Sequence, residues 1–235
     1  MTEEIYCDDA YAKTAQARIV AVHEGGIELE RTVFFPMGGG QPGDTGIITN
    51  RNGKQIEIRD TIKAADSGIH MHIPVSQSTR LSPGEIISME INWPRRYAFM
   101  RMHTLLHLIC AIMDSEVTGC QIGFEKSRID VNVDEKPDRD VLQSELEQIV
   151  ARDLPIRANW MTDKKLSSKP DLVRTMSGQP PVSSRGVRLI EIESIDIQPC
   201  GGTHVLRTSE IGKLRVGKIE NKGKHNRRIN VHLDD

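Results

Sequence analysis

From Arg95 to Asp114 the chain runs twenty residues without a glycine or a proline, and Asn92-Trp93-Pro94 stands directly before them. Proline suits a first helical turn because its missing N–H has no partner there anyway. Tyr97, Met100, Thr104, His107 and Ala111 recur at the three-to-four spacing of one helix face. The spacing predicts a helix of about five or six turns, and that helix divides the chain at residue 93.

The residues before it read as β structure. Ala17 to Val22 and Ile27 to Phe35 are apolar-rich runs separated by Gly25-Gly26. Arg51-Asn52-Gly53-Lys54 is an Asn-Gly hairpin signal between Ile47-Ile48 and Ile56-Glu57-Ile58, and Ile86 to Ile91 is a further strand. Short strands at this spacing suggest a small barrel or sandwich. Behind the helix, strand-like runs at 117–124, 127–133, 156–161, 187–192 and 195–198 surround an amphipathic helix over 138–153. Segments 211–220 and 227–233 flank Asn221-Lys-Gly-Lys-His-Asn226, a basic hairpin. The expected division is therefore 1–93 and 94–235.

Hydrophobic residues make up 37% of the chain and charged residues 27%, which excludes a disordered polyelectrolyte and fits a globular protein. Apolar runs fall short of the roughly 20 residues that span a bilayer, and the acidic start Met1-Thr-Glu-Glu-Ile does not resemble a signal peptide. The expectation is a cytoplasmic protein without a membrane partner. Four cysteines, at 7, 110, 120 and 200, form no disulfide framework by spacing. Residues 205–233 carry 8 basic against 2 acidic residues, enough to attract a polyanion or simply to solvate a β-ribbon.

His103-Thr-Leu-Leu-His107 places two imidazoles four residues apart on the helix, on one face and about one turn apart. Cys200-Gly-Gly-Thr-His204 adds a thiolate and a third imidazole from a glycine turn. Three nitrogens and one sulfur suit tetrahedral zinc, one ion per chain. The alternatives are core histidines beside an unrelated turn, or a zinc that is structural because a closed four-ligand site catalyses nothing by itself. Thr104 stands where a metalloprotease helix carries its general-base glutamate.

These residues resemble the editing domain of alanyl-tRNA synthetase. The resemblance continues through Thr203-His204-Val205, Glu210-Ile211-Gly212 and Arg227-Arg228-Ile229. It also includes Phe34-Phe35-Pro36-Met37-Gly38-Gly39-Gly40-Gln41-Pro42-Gly43-Asp44-Thr45-Gly46, a glycine-rich loop. It covers nearly the whole chain, which is too short to add an aminoacylation domain, so the chain resembles the free-standing AlaX editing proteins of the medium form. The resemblance implies an α+β protein: a small β-barrel of the translation-protein type, then an α+β editing domain with an antiparallel sheet and a long helix. It implies a deacylase acting on tRNA(Ala) mischarged with serine, and with glycine as a further substrate. Pro199, directly before Cys200, departs from the family pattern and bears on local loop geometry only.

An aminoacyl ester is already activated, so such a site must position ester and water and stabilise an oxyanion. Zinc would either lower the pKa of a water or orient the substrate. Removing serine while sparing alanine calls for a hydrogen bond to the serine hydroxyl. Gln121, in Gln121-Ile122-Gly123, is the candidate contact with Thr104 beside it. The alternatives are an exposed strand residue for Gln121 and a hydroxyl satisfied by its own helix for Thr104. Candidate tRNA contacts are Gly38, Gly39, Gly40 and Gln41 in the glycine-rich loop, and Lys218, Lys222, Lys224, Arg227 and Arg228 around the hairpin. Arg95, Arg96 and Arg101 form a further possible patch. The glycine-rich loop also reads as a simple turn between strands, and Phe34-Phe35 as core rather than a base-stacking platform. Competing functions are editing of Ser-tRNA(Thr), a non-catalytic tRNA-binding module with structural zinc, and a zinc hydrolase of another kind such as an amidase.

Overall fold

The computed structural model describes residues 2–64, 67–76, 81–168, 172, 173, 182, 183 and 185–234. The fold is mixed α and β, in two compact units, Met1–Tyr97 and Ala98–Asp235.

The first unit opens with β1 (Glu3–Glu4) and a single helical turn, α1 (Ile5–Asp8). It continues through β2 (Thr14–Val22), β3 (Ile27–Leu29), β4 (Arg31–Thr32), β5 (Gly46–Asn50), β6 (Gln55–Lys63), β7 (His70–Pro74) and β8 (Ile86–Ile91). Six of these close a barrel in the order β2-β3-β7-β6-β5-β8. Alternation drives the closure: in β8, Ile87, Met89 and Ile91 point inward while Ile86, Ser88 and Glu90 stay exposed, the period-two pattern of a half-buried strand. The core comprises Ala17, Ile19, Ile27, Leu29, Val33, Phe34, Ile48, Ile56, Ile58, Ile87, Met89 and Ile91. The run Ile27 to Phe35 is not one strand. It breaks at Glu30, and Phe34 (0% exposed) and Phe35 (5%) are core residues.

The helix α2 (Trp93–Met113) starts in this unit, and Asn92 caps it by accepting from Arg95 N–H through Oδ1 at 3.2 Å. Arg96 in its first turn is fully buried with Asp44. Its Nε donates to Asp44 Oδ1 at 3.1 Å and Oδ2 at 2.9 Å, and Nη2 donates to Asp44 Oδ2 as well. Arg96 also reaches the carbonyls of Val33 (2.6 Å) and Ala10 (3.1 Å), and Asp44 Oδ2 accepts from Phe35 N–H at 2.7 Å. A charge pair without water is stable only when its remaining donors and acceptors are satisfied in this way.

The second unit takes over the same helix. Its Ala98 to Cys110 stretch is buried without a break, so the single apolar face expected from the spacing understates how enclosed the helix is. There follow β9 (Val117–Gln121), β10 (Lys126–Asn132), α3 (Arg139–Ala151), β11 (Ile156–Met161), α4 (Asp163–Ser167), β12 (Val182–Ser183), β13 (Gly186–Ile192), β14 (Asp196–Pro199), β15 (Leu214–Asn221) and β16 (Asn226–Leu233). One antiparallel sheet runs β15-β16-β10-β9; in a second, β13 pairs with β11, β12 and β14. Asp138 caps α3 by accepting from the N–H groups of Asp140 and Val141. Gln143 on α3 then lies along the edge strand β15. Its Nε2 donates to Leu214 O at 2.9 Å and its Oε1 accepts from Val216 N–H at 2.6 Å.

Candidate metal centre

Helix geometry and one strand end build the site. His103 and His107 project from consecutive turns of α2, their ring centroids 5.1 Å apart. Cys200 and His204 come from the turn that follows β14, where Cys200 N–H still bonds Arg188 O at 3.0 Å and so extends the β13–β14 pairing. Pro199 ends β14, which pairs only with β13 among the described strands. A proline is tolerated on such an edge because its missing N–H removes no ladder bond.

The four candidate ligands converge, with one ligand atom from each lying within 4.8 Å of all the others. Cys200 Sγ is 3.5 Å from His103 Nε2 and 3.4 Å from His204 Nε2. A tetrahedral zinc with Zn–N near 2.05 Å and Zn–S near 2.3 Å has N···S edges of about 3.6 Å, close to these two edges. The ring of His204 lies 4.4 Å from that of His103 and 4.5 Å from that of His107.

The imidazoles at this point are in the protonation state of metal ligands. Burial pulls His103 down to about 3, and the nearby Arg188 charge adds to the effect. His107 and His204 are likewise well below the ordinary imidazole range, chiefly through burial and then through neighbouring imidazoles and Arg188. All three rings are therefore neutral at pH 7 and offer lone pairs. Burial also pushes the Cys200 thiol up to about 11, against the opposing pull of Gly202 N–H and Arg188. A thiolate here needs a metal beside it.

Of the surrounding layer of side chains, only Thr104 stands out in the sequence. Arg188 on β13 is buried, and its Nη1 donates to Cys200 O at 3.1 Å and Gly202 O at 2.7 Å. Gly202 N–H points at Cys200 Sγ, 3.3 Å away. Neither Gly201 nor Gly202 takes a positive φ, so the arginine clamp shapes this turn, not a left-handed backbone. The Asp196 side chain is 0% exposed with Oδ2 3.9 Å from His107 Nδ1, and that oxygen accepts from Gln198 Nε2 at 2.6 Å. His107 Nδ1 itself is buried without a hydrogen bond. Thr104, 0% exposed, holds His204 Nδ1 at 3.1 Å. A buried Arg or Asp reads in sequence as a surface charge; only the register that brings β13 and β14 to the helix exposes the role.

The other candidates are distributed less tightly. Gln121 lies outside the four-residue cluster and its Oε1 accepts from Arg128 Nε at 3.2 Å on an exposed face. Its neighbour Cys120 is close enough to act electrostatically on Cys200. In the first unit, Gly38, Gly39 and Gly40 are exposed at a two-residue turn closed by Gly38 and Gln41 backbone bonds of 3.0 and 2.9 Å. Gly39 (φ +55°) and Gly40 (φ +81°) supply the left-handed pair that such a turn requires. Gln41, however, is 0% exposed, so its side chain faces the interior.

Around the hairpin, Arg227 is buried and its guanidinium donates to the carbonyls of Gly223 and Asp134, which latches the loop. Arg228 grips Asp130 through two bonds of 2.7 and 2.8 Å. Lys222 pairs with Glu220 at 3.0 Å, while Lys218 and Lys224 are exposed. A cavity of about 1020 Å³ between α3 and β15 gathers Lys218 with Lys136, Arg139 and Arg215. The Arg95-Arg96-Arg101 patch dissolves on folding. Arg96 is committed to Asp44, and Arg101 is buried with Nε and Nη2 donating to Ile211 O at 2.9 and 2.7 Å. Arg95 Nη2 reaches Gly43 O at 3.4 Å.

A closed barrel and an α+β unit with a thiol–imidazole centre define a relative of the accessory regions of class II tRNA synthetases. Residues 187–230 match the threonyl and alanyl tRNA synthetase second additional domain, and residues 6–95 match class II (A) tRNA synthetases. More particularly, the chain belongs to the family of alanyl-tRNA editing proteins AlaX-M. It is 34% identical to the AlaX-M protein of Saccharolobus solfataricus, over 97% of this chain and 98% of that one. It is 35% identical to that of Methanosarcina barkeri over the full length of both. Against an alanine--tRNA ligase of Saccharolobus islandicus the identity is 32%, over 93% of this chain but 25% of the ligase.

Proposed function

We propose that this chain is an aminoacyl-tRNA deacylase that edits in trans, hydrolysing the ester of tRNA(Ala) carrying serine, with glycine as a second substrate. The single observation that carries the reading is the convergence of His103, His107, Cys200 and His204 in a member of the AlaX-M family. Zinc is the ion the donor set suits, through three neutral nitrogens and one sulfur. When bound it would supply a Lewis acid that polarises or orients groups next to the ester.

The chain's own residues contribute the frame. The four ligand side chains would fix the ion in a largely buried site, His103 and His107 each being 6% exposed. Arg188 holds the Cys200–Gly202 turn, and Thr104 and Asp196 sit behind two imidazoles. Gln121 is the candidate partner for the serine hydroxyl. Arg128 engages its Oε1, leaving the amide Nε2 for that contact. Exposed Lys218 and Lys224 are the candidate phosphate contacts, which position an RNA without reading sequence. We also assign the first unit to the translation-protein type of barrel, with the Gly38–Gly40 turn as the RNA-facing loop. A cytoplasmic location is part of the same proposal and would suit a role in tRNA editing; no described helix is long and apolar enough to cross a membrane.

The test is a deacylation assay with Ser-, Gly- and Ala-tRNA(Ala), with metal analysis of the same sample. The reading requires hydrolysis of the first, sparing of the third and close to one zinc per chain. The proximity of all four ligands favours one rival, a closed structural zinc in a tRNA-binding module. Binding without turnover would select it. Equal hydrolysis of Ser-tRNA(Thr) would move the substrate to the threonine system.

A further inference from the structure

We infer that Thr104 is a positioning residue that selects the tautomer of His204, and that it does not contact the substrate. The inference rests on the metal reading above and deepens it. The hydroxyl is 0% exposed, which puts it out of reach of an aminoacyl group. Its Oγ1 lies 3.1 Å from His204 Nδ1 and 3.4 Å from Val205 N–H. Two consecutive residues of the Cys200–Val205 segment thus converge on one oxygen of the helix.

The geometry at the opposite edge of the ring decides which atom carries the proton. His204 Nε2 faces Cys200 Sγ at 3.4 Å, and His103 Nε2 faces the same sulfur at 3.5 Å. A ligand nitrogen must present a lone pair, so in a metal-competent site the His204 proton belongs on Nδ1. Nδ1–H then donates to Thr104 Oγ1, as does Val205 N–H, and both lone pairs of that oxygen are used. The hydroxyl's own proton is left for a helix carbonyl one turn back, the usual partner of a threonine inside a helix. An imidazole held in this manner pays no reorientation when the ion arrives; outer partners of this kind change metal affinity by about 10–100-fold when removed.

The same position explains why Thr104 occupies the slot after His103. Position 104 lies three residues before His107 on α2, inside the buried stretch. A longer polar side chain there would displace the turn that carries His204, whereas Val would fill the volume and lose the acceptor.

Two measurements on the full chain test this. The first is Zn2+ affinity by competition with a chromophoric chelator, for wild type, Thr104→Val and Thr104→Ser. The second is the His204 tautomer in the metal-free protein, read from 15N–1H imidazole correlations and assigned with His204→Asn. We expect the Nδ1–H form in wild type, a shift toward Nε2–H or a mixture in Thr104→Val, and a 10–100-fold weaker Zn2+ affinity in that variant. Serine keeps the hydroxyl and should return both readouts to near wild type, which a packing role for the threonine methyl would not do. A folded Thr104→Val that binds Zn2+ within threefold of wild type overturns the inference. So does an Nε2–H tautomer in the wild-type protein, which decides the matter even if the valine variant fails to fold. A wild-type chain that binds no Zn2+, yet holds His204 as Nδ1–H through Thr104, refutes the metal reading alone.

Discussion

Asp44→Ala should cost the first unit about 3–4 kcal/mol. Arg96 and Asp44 are exposed by 0% and 1% and meet through both carboxylate oxygens. Unit charges about 4 Å apart interact by roughly 4 kcal/mol at an effective dielectric near 20, and cutting one partner from a buried pair costs about 3–5 kcal/mol. The lower part of that range applies because Arg96 keeps the carbonyls of Val33 and Ala10. Against that, Phe35 N–H loses its acceptor inside the core. For a unit of this size the loss corresponds to a fall in Tm of roughly 15–30 °C.

The two tryptophans provide the assay, since Trp93 lies in the first unit and Trp160 in the second. In a Trp160→Phe background, urea unfolding followed by Trp93 fluorescence reads the barrel unit. Asp44→Leu combined with Arg96→Met should recover about half the loss, because it removes the stranded charge but leaves the Val33 and Ala10 carbonyls without a donor. A loss below about 1 kcal/mol for Asp44→Ala, or a double variant no better than the single one, refutes the reasoning.

Other outcomes follow from the same structure. His72 is buried and held down to about 4, mainly by desolvation, with Nδ1 donating to Ile27 O and Thr32 Oγ1 at Nε2. Its folded value lies below its unfolded one, so its contribution is complete above pH 6.5 and is lost as pH falls toward 4, by up to about 3 kcal/mol; urea midpoints across that window should fall, and a flat profile excludes the assignment. Adding Zn2+ to 100-fold above its Kd should stabilise the second unit by about 2.7 kcal/mol, read from Trp160, and His103→Ala should abolish the response together with deacylation. Gly212→Ala should destabilise by more than about 1 kcal/mol, since Gly212 has φ +73° and an added Cβ would stand 2.8 Å from Arg101 Nη2. Thermal unfolding measures it, with Gly25→Ala, where a Cβ meets nothing within 4 Å, as the benign control.

What the sequence disclosed and what it withheld divides along a physical line. Period-two runs such as Ile87, Met89 and Ile91 announce their buried face locally, and so does the capped, proline-led start of α2. The ligand pairs were readable because each obeys a four-residue spacing. Buried charged side chains were the least legible residues. Arg96, Arg101 and Arg227 look like candidates for phosphate, and Arg188 carries no signal at all, yet each is buried on backbone carbonyls or a carboxylate. Their partners lie 52 and 110 residues away in two of these cases, and no local pattern encodes such a distance. Gln41 is the same lesson in a neutral residue: it follows three exposed glycines and turns inward.

The amide of Gln143 has a last consequence. An unpaired outer strand invites a second copy of the chain to add itself to the sheet. Here β15 is such a strand, but Gln143 satisfies Leu214 O and Val216 N–H as a neighbouring peptide would. Farther along, the strand presents Lys218 to solvent, and a lysine on an open edge disfavours pairing with an identical ribbon. The amide thereby guards the sheet against edge-to-edge polymerisation at no cost in exposed apolar surface.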